Sequence, residues 1–377
     1  MEIGLSIILI IISCIIIWKA SDGFDVASEY LGRYLGEGVK GATINAIGSS
    51  MPELFTTLLF LFLYQDDQGF ASGIGTTAGS AIFNAIIIPS SIIITVVFVL
   101  KTTVTVSKKV ILRDSISLII TELFLIYFVE GGVLTWEHGV FLIFLYLIYV
   151  VLLFTTMKKE NIDLRIKDES DEETGNRLSA LFKLDLETAL IGDKPFNTLN
   201  AWTLLLISMF VIGVACFLLV HSCELFGEAT GVPLYFVSVI IASAATSVPD
   251  TILSIRDAQK GNYDDALSNA IGSNVFDICF ALGFPLFLFT FIYNRDIILS
   301  EQVILDVTVL QVLLLFMTII TTLIFLIGNS LGKIKVCILL LMYIAFVGFI
   351  VAQSLNADWT QPIIENLVFI GEKIQLK

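Results

Sequence analysis

Two carboxylates stand directly after prolines inside apolar stretches. Glu53 follows Pro52 in "GSSMPELFTT" (48–57), and Asp250 follows Pro249 in "ATSVPDTILSI" (245–255). Proline has no N–H, and its ring clashes with the carbonyl four residues earlier. Backbone oxygens around Gly48–Ser49 and Ala245–Thr246 therefore lose their helical partners. The hydroxyls of Ser49, Ser50, Thr246 and Ser247 fall in the same turns. Elsewhere, Ser80 and Asn84 are four residues apart, which places them on one helix face, and Ser273 and Asp277 repeat that spacing. Every one of these groups offers oxygen, and none offers imidazole nitrogen or thiolate sulfur. Oxygen-only, flexible coordination suits Ca2+, and it also suits alkali cations.

The elements that must hold these groups are membrane spans. The chain has 377 residues, is 56% hydrophobic and only 15% charged, whereas a soluble protein carries about 25% charge. Apolar windows of about 20 residues predict ten helices, near 3–29, 38–64, 71–99, 108–130, 134–156, 201–226, 231–256, 264–292, 302–328 and 334–353. The first run, "IGLSIILIIISCIII", has no basic residue before it and no cleavage-type site after it, so it is read as a span. With the N-terminus outside, eighteen of the twenty-one Lys and Arg residues fall on the inner side. Only Arg295, Lys373 and Lys377 fall outside. That bias supports an N-out, C-out arrangement.

The chain also repeats itself. "AIGSSMPELFTTL" (46–58) corresponds to "SAATSVPDTILSI" (243–255), and "TTAGSAIFNAIII" (76–88) to "NAIGSNVFDICFA" (269–281). "VILRDSISL" (110–118) resembles "VILDVTVL" (303–310), aligning Asp114 with Asp306, and Ser21-Asp22 has a looser counterpart in Cys223-Glu224. Five spans per copy is an odd number, so the copies enter the membrane oppositely, as in secondary transporters built around a midplane site. The fold expected is an all-α membrane protein whose ten transmembrane helices form two inverted five-helix repeats. Residues 1–156 form the first repeat, 157–200 an inner loop and 201–377 the second repeat. Within the loop, "NRLSALFKLDLETALIG" has the spacing of a helix lying on the inner membrane surface, and a plain solvated linker is the alternative.

Glu53, Asp250 and Asp277 bring three negative charges to matched depths. A structural ion pair is one way to hold such acids, but no Lys or Arg lies near the expected midplane. A metal cation is the remaining neutraliser. One Ca2+ with one monovalent cation balances the three charges, and so do three Na+. Small residues in the same segments, among them Gly41, Ala42, Gly48, Gly75 and Gly79, let helices approach closely, and packing alone accounts for them equally well. The five cysteines have no zinc or redox spacing and read as buried thiols. His138 and His221 sit at expected outer boundaries without a catalytic partner, so an enzyme is not indicated.

These motifs resemble the alpha repeats of the calcium/cation antiporter superfamily, which includes the sodium/calcium exchangers. "GSSMPELFT", "GSAIFN", "TSVPD" and "SNAIGSNVFDI" are most similar to the potassium-dependent sodium/calcium exchangers. The resemblance implies that Glu53 and Asp250 are the principal Ca2+ ligands, completed by backbone carbonyls of Ser49 and Thr246. It implies that Ser50, Ser80, Asn84, Ser247, Ser273 and Asp277 serve flanking Na+ sites, with Asp277 the K+-linked residue. Ala46 and Ser243 would line the outward Na+ position. In the family, the spans matching 3–29 and 201–226 slide across a four-helix core. This chain departs from the pattern at Met51, where a small residue is commoner, at Ser243, usually alanine, and at Asn45.

The function expected is therefore antiport of Ca2+ against Na+, with or without K+, by alternating access. Exchange coupled to H+, or of another divalent such as Mg2+ or Mn2+, is the alternative, and a cation channel is a more distant one. The expected partners are the transported Ca2+, Na+ and K+ and the lipid bilayer. No cofactor or nucleic acid is expected, and the transport unit would be a monomer. A multi-pass protein of the plasma membrane is the default, with an organelle membrane as the alternative. The short loop leaves no room for a large calcium-sensing domain.

Overall fold

The structure, a computed structural model, describes residues 2–33, 46–156, 180, 183–192, 196–328 and 330–374. It is helical almost throughout. The first helix, α1 (Glu2–Leu31), opens with a long apolar stretch suited to lipid and carries Lys19, Asp22, Asp25 and Glu29 in its last part. It buries one stripe of small residues, Ser6, Ser13, Ala20, Ser21, Ala27 and Ser28, and exposes isoleucines on the other.

The span expected at 38–64 is described from Ala46 and is broken. Helix α2 (Ala46–Ser49) ends at Ser50, and α3 (Met51–Tyr64) restarts with Pro52 in its first turn. Proline is accommodated there because the N–H it lacks has no helical partner in any case. Helix α4 (Asp67–Ile94) follows, capped by the Asp66 side chain and extended by a π-helical turn, Thr95–Val99. Then come α5 (Lys108–Glu130) and α6 (Trp136–Thr156).

Past the loop, α7 (Leu186–Leu190) leads to α8 (Thr198–Thr230). The next span repeats the break. Helix α9 (Leu234–Val237) runs through a π turn, Ser238–Ala242, into α10 (Ser243–Thr246). Then α11 (Val248–Gln259) restarts with Pro249 in its first turn. Helix α12 (Tyr263–Phe276) passes through a π turn beginning at Asp277 into α13 (Gly283–Tyr293). Helices α14 (Glu301–Leu326), α15 (Lys333–Ser354) and α16 (Gln361–Ile374) close the chain. Two short strands, β1 (Val133–Leu134) and β2 (Ile297–Ile298), pair antiparallel.

Eight of the described helical segments are long and apolar enough to cross a membrane. Two expected spans fall outside that number for visible reasons. The span at 38–64 is described only from Ala46, which leaves α3 as a 14-residue apolar helix, and α5 carries Lys108, Lys109, Arg113, Asp114, Glu122 and Glu130. The amphipathic α16 was not expected at all. Of the loop stretch 176–192 expected to form a helix on the membrane, the described residues include the single turn α7. Leu186 and Ile191 bury against protein, α7 packs on α1 and α8, and the Phe196 ring lies 4.9 Å from that of Tyr30. Asn45, Gly41, Ala42 and most of the loop lie outside the described residues.

Arg113 and the three acids of α5 are bound into the packing. Arg113 and Asp114 pair at 2.6 Å. Ser268 on α12 donates to Asp114 at 2.7 Å, and Tyr149 on α6 donates at 3.1 Å. Thr318 on α14 donates to Glu122 at 2.7 Å, and Thr308 to Glu130 at 2.6 Å. Buried polar groups in such helices need partners. Here those bonds also fix α5 against α14, α6 and α12.

Candidate cation site

The two helix breaks face a common interior. Ser50 has φ −93° and ψ 8°, and Ser247 has φ −78° and ψ 0°, so the same kink occurs at the same position of each motif. Both fall near the sparsely populated bridge region. Helix α4 lies against α10, α11 and α12, and it approaches them closely because it has no side chain at Gly79. A Cβ there would collide with the Val239 carbonyl and the Ser243 side chain. Gly48 plays the same part toward α1, where a Cβ would strike the Phe24 ring.

Between the breaks lies a chain of oxygens. Ser80 donates to Glu53 Oε1 at 2.9 Å, and its oxygen is 2.7 Å from Ser247 Oγ. Asn84 donates to Asp250 Oδ2 at 2.9 Å, and Ser273 donates to Asp250 Oδ1 at 2.9 Å. Asp277 Oδ2 is 3.5 Å from Ser80 Oγ. Glu53, Asp250 and Asp277 are all 0% exposed, and no Lys or Arg pairs with them among the described residues. Glu53 Oε2, Asn84 Oδ1 and Asp277 Oδ1 are buried without a hydrogen-bond partner. Such oxygens cost about 1–3 kcal/mol each unless something binds them.

Six of the sequence-derived residues, Glu53, Ser80, Asn84, Ser247, Asp250 and Ser273, thus join one network, with Asp277 at its edge. The others stand differently. Ser49 and Ser50 are buried at the first break, and Ser49 Oγ lies 3.5 Å from Asn269 Oδ1. Thr246 donates to the Ser243 carbonyl at 3.1 Å, while Ser243 donates to the Val239 carbonyl of its own helix. Ala46 is buried at the start of α2. Among the described residues, no three carboxylate, imidazole or thiolate groups converge closely enough to hold a metal by themselves. Any cation here must draw on hydroxyl, amide and backbone oxygens as well.

The sequence reasoning missed two asparagines. Asn269 donates to the Asp250 carbonyl at 3.4 Å and to Ser254 at 3.0 Å. Asn274 donates to the Ala81 carbonyl at 2.9 Å, tying α12 to α4. Both stand inside the quoted repeat "NAIGSNVFDI", and two amides in an apolar span were the available signal.

Long apolar helices closed around a buried oxygen network, with proline breaks on either side, define a multi-pass integral membrane protein with an interior polar centre. A family model described as sodium/calcium exchanger protein matches residues 5–155 and 200–352, and the chain belongs to that family. It is 25% identical over 342 residues to human sodium/potassium/calcium exchanger 5, covering 72% of this chain and 66% of that protein. It is 38% identical over 120 residues to human sodium/potassium/calcium exchanger 3, covering 32% of this chain and 17% of that protein. The matched stretches thus span just under two thirds of the first relative's length and under a fifth of the second's.

The H+/Ca2+ exchanger CAX superposes with a TM-score of 0.63 at 15% identity, covering 97% of this chain and 92% of that one. The sodium-calcium exchanger NCX_Mj, soaked with 2.5 mM Na+ and 0.1 mM Ca2+, superposes with a TM-score of 0.58 at 21% identity, covering 91% and 98%. At these identities the likeness establishes a shared fold. The resemblance to the sodium/calcium exchangers is borne out by the family model and by the two human relatives, both named sodium/potassium/calcium exchangers.

Proposed function

We propose that this protein is a secondary antiporter that exchanges Ca2+ for Na+, with K+ as a co-transported ion, at the centre between the two helix breaks. One observation carries the proposal. Glu53 and Asp250 occupy equivalent places after matched prolines, and Ser80, Ser247 and Asn84 link them through oxygen and amide groups without a basic residue. Glu53 and Asp250 are the primary Ca2+ ligands in this scheme, with the Ser49 and Thr246 carbonyls. Ser50, Ser80, Asn84, Ser247, Ser273 and Asp277 serve Na+ and K+, with Ala46 and Ser243 toward the outer side.

The mechanism rests on charge. The carboxylates repel one another when no cation is present, and moving them through low dielectric in that state is unfavourable. Loading with Ca2+ and a monovalent cation, or with three Na+, removes the net charge. Only the loaded forms then interconvert, which is exchange rather than leak. The scheme assigns residues 1–156 and 201–377 to two inverted five-helix repeats, ten crossings in all, with residues 157–200 inside and both termini outside. Helices α1 and α8, which pack on one another and on the broken spans, are the moving pair.

The test is Ca2+ uptake into Na+-loaded proteoliposomes, with and without K+ and with a protonophore. Uptake that needs the Na+ gradient and rises with K+ is expected. Uptake that needs only a proton gradient would replace Na+ with H+ in the scheme, and current without a counter-ion would make the protein a channel.

A further inference from the structure

A second group of acids lies between the centre and the expected inner surface. Asp257 follows Asp250 by seven residues on α11, two helical turns along the same face and about 10 Å away. It is 8% exposed. Helix α1 packs against α11 there, is joined to it by the Arg256–Asp22 pair, and brings Asp25 one turn beyond Asp22. Asp25 Oδ1 is buried and has no hydrogen-bond partner. Neither has the hydroxyl of Ser21, one turn earlier on the same face of α1 and 2% exposed.

In front of this group stands an ion pair. Arg256 on α11 reaches Asp22 on α1 at 2.7 Å, with the two side chains 43% and 29% exposed, and Lys19 lies 3.8 Å from the same carboxylate. Exposure thus falls from the Arg256–Asp22 pair, through Asp257, to the fully buried Asp250.

We propose that Asp25, Asp257 and Ser21 form an inner staging site for the transported cation, and that Arg256, tethered to Asp22, is the displaceable cation that closes it. This rests on the exchange function proposed above. The unpartnered oxygens of Ser21 and Asp25 are of the hard type that Na+ and Ca2+ take. An exposed Arg–Asp pair is weakly held, so it opens readily. The pair also joins α1 to α11, so a cation that displaces Arg256 releases the moving helix from the fixed one. Staging and release are then one event.

The test measures half-saturating Ca2+ and Na+ separately from the inner and outer faces of oriented proteoliposomes. Asp25→Asn is expected to raise the inner value about tenfold, the loss of a local accumulation of counter-ions, and to leave the outer value unchanged. Arg256→Gln is expected to lower the inner value, because it removes the tethered competitor. Ser21→Ala keeps every charge and is expected to raise the inner value about threefold. Shifts equal on both faces, an inner value unchanged in Ser21→Ala, or Arg256→Gln moving in the same direction as Asp25→Asn would each overturn the staging site. The Ser21 and Arg256 variants decide the matter even if Asp25→Asn does not assemble. Absence of Na+-dependent Ca2+ flux in the unmodified protein would instead sink the exchange function.

Discussion

Ser80 has one proton and four polar neighbours. Glu53 Oε1, Ser247 Oγ, Asp277 Oδ2 and Asn84 Nδ2 lie at 2.9, 2.7, 3.5 and 3.4 Å. A hydroxyl gives one hydrogen bond at a time. If Ser80 donates to Glu53 and accepts from Ser247, Asp277 is left without that donor, and its other oxygen has none either. Asp277 Oδ1 thus stays open, and in the proposed scheme it meets a monovalent cation. Glu53→Gln and Asp250→Asn should each abolish Ca2+ uptake in proteoliposomes, since each removes a charge that the other cannot replace. Asp277→Asn should keep most uptake and lose its response to K+, read as the ratio of rates with and without K+. Ser80→Ala should weaken Ca2+ binding about tenfold, in line with the worth of a hydrogen bond to a charged group.

Helix breaks and close approaches carry the account at the scale of elements. The prolines were legible as breaks because proline cannot complete a helical turn. The structure adds that both breaks fall at the residue two before proline, Ser50 and Ser247. Gly79 lets α4 reach the second break, so Gly79→Val should cost about 1–3 kcal/mol through overpacking. A lowered unfolding temperature of the purified protein in detergent measures that cost, and Gly348→Val, at a glycine with open space around it, is the control. What the sequence did not disclose follows from its averaging. A hydropathy window sees twenty residues at once, so it passes over a helix as short and amphipathic as α16. The π turns at Thr95–Val99, Ser238–Ala242 and Asp277–Ala281 arise from packing and leave no compositional trace.

For the whole molecule, hydropathy located the membrane helices, because a span must be long and apolar to satisfy its backbone in lipid. It located the span that holds α3 without its break, and α5 without the bonds that tie its charges to α6, α12 and α14. The candidate site was legible in its acids, which stand out against an apolar background, but not in how Asn269 and Asn274 tie the helices around them. If the two halves are inverted, single cysteines at Lys101 and Gly261 should react only from the inner face, and cysteines at Asp296 and Asp358 only from the outer. Reaction of all four from one face would refute the ten-crossing layout. The central claim is that Glu53 and Asp250 form one site for which Ca2+ and Na+ compete. Calorimetric titration of the purified protein with Ca2+, in the absence and presence of Na+, tests it most directly. The account predicts Ca2+ binding that Na+ weakens competitively and that both Glu53→Gln and Asp250→Asn eliminate. Unaltered Ca2+ binding in either variant, or an affinity indifferent to Na+, would contradict it.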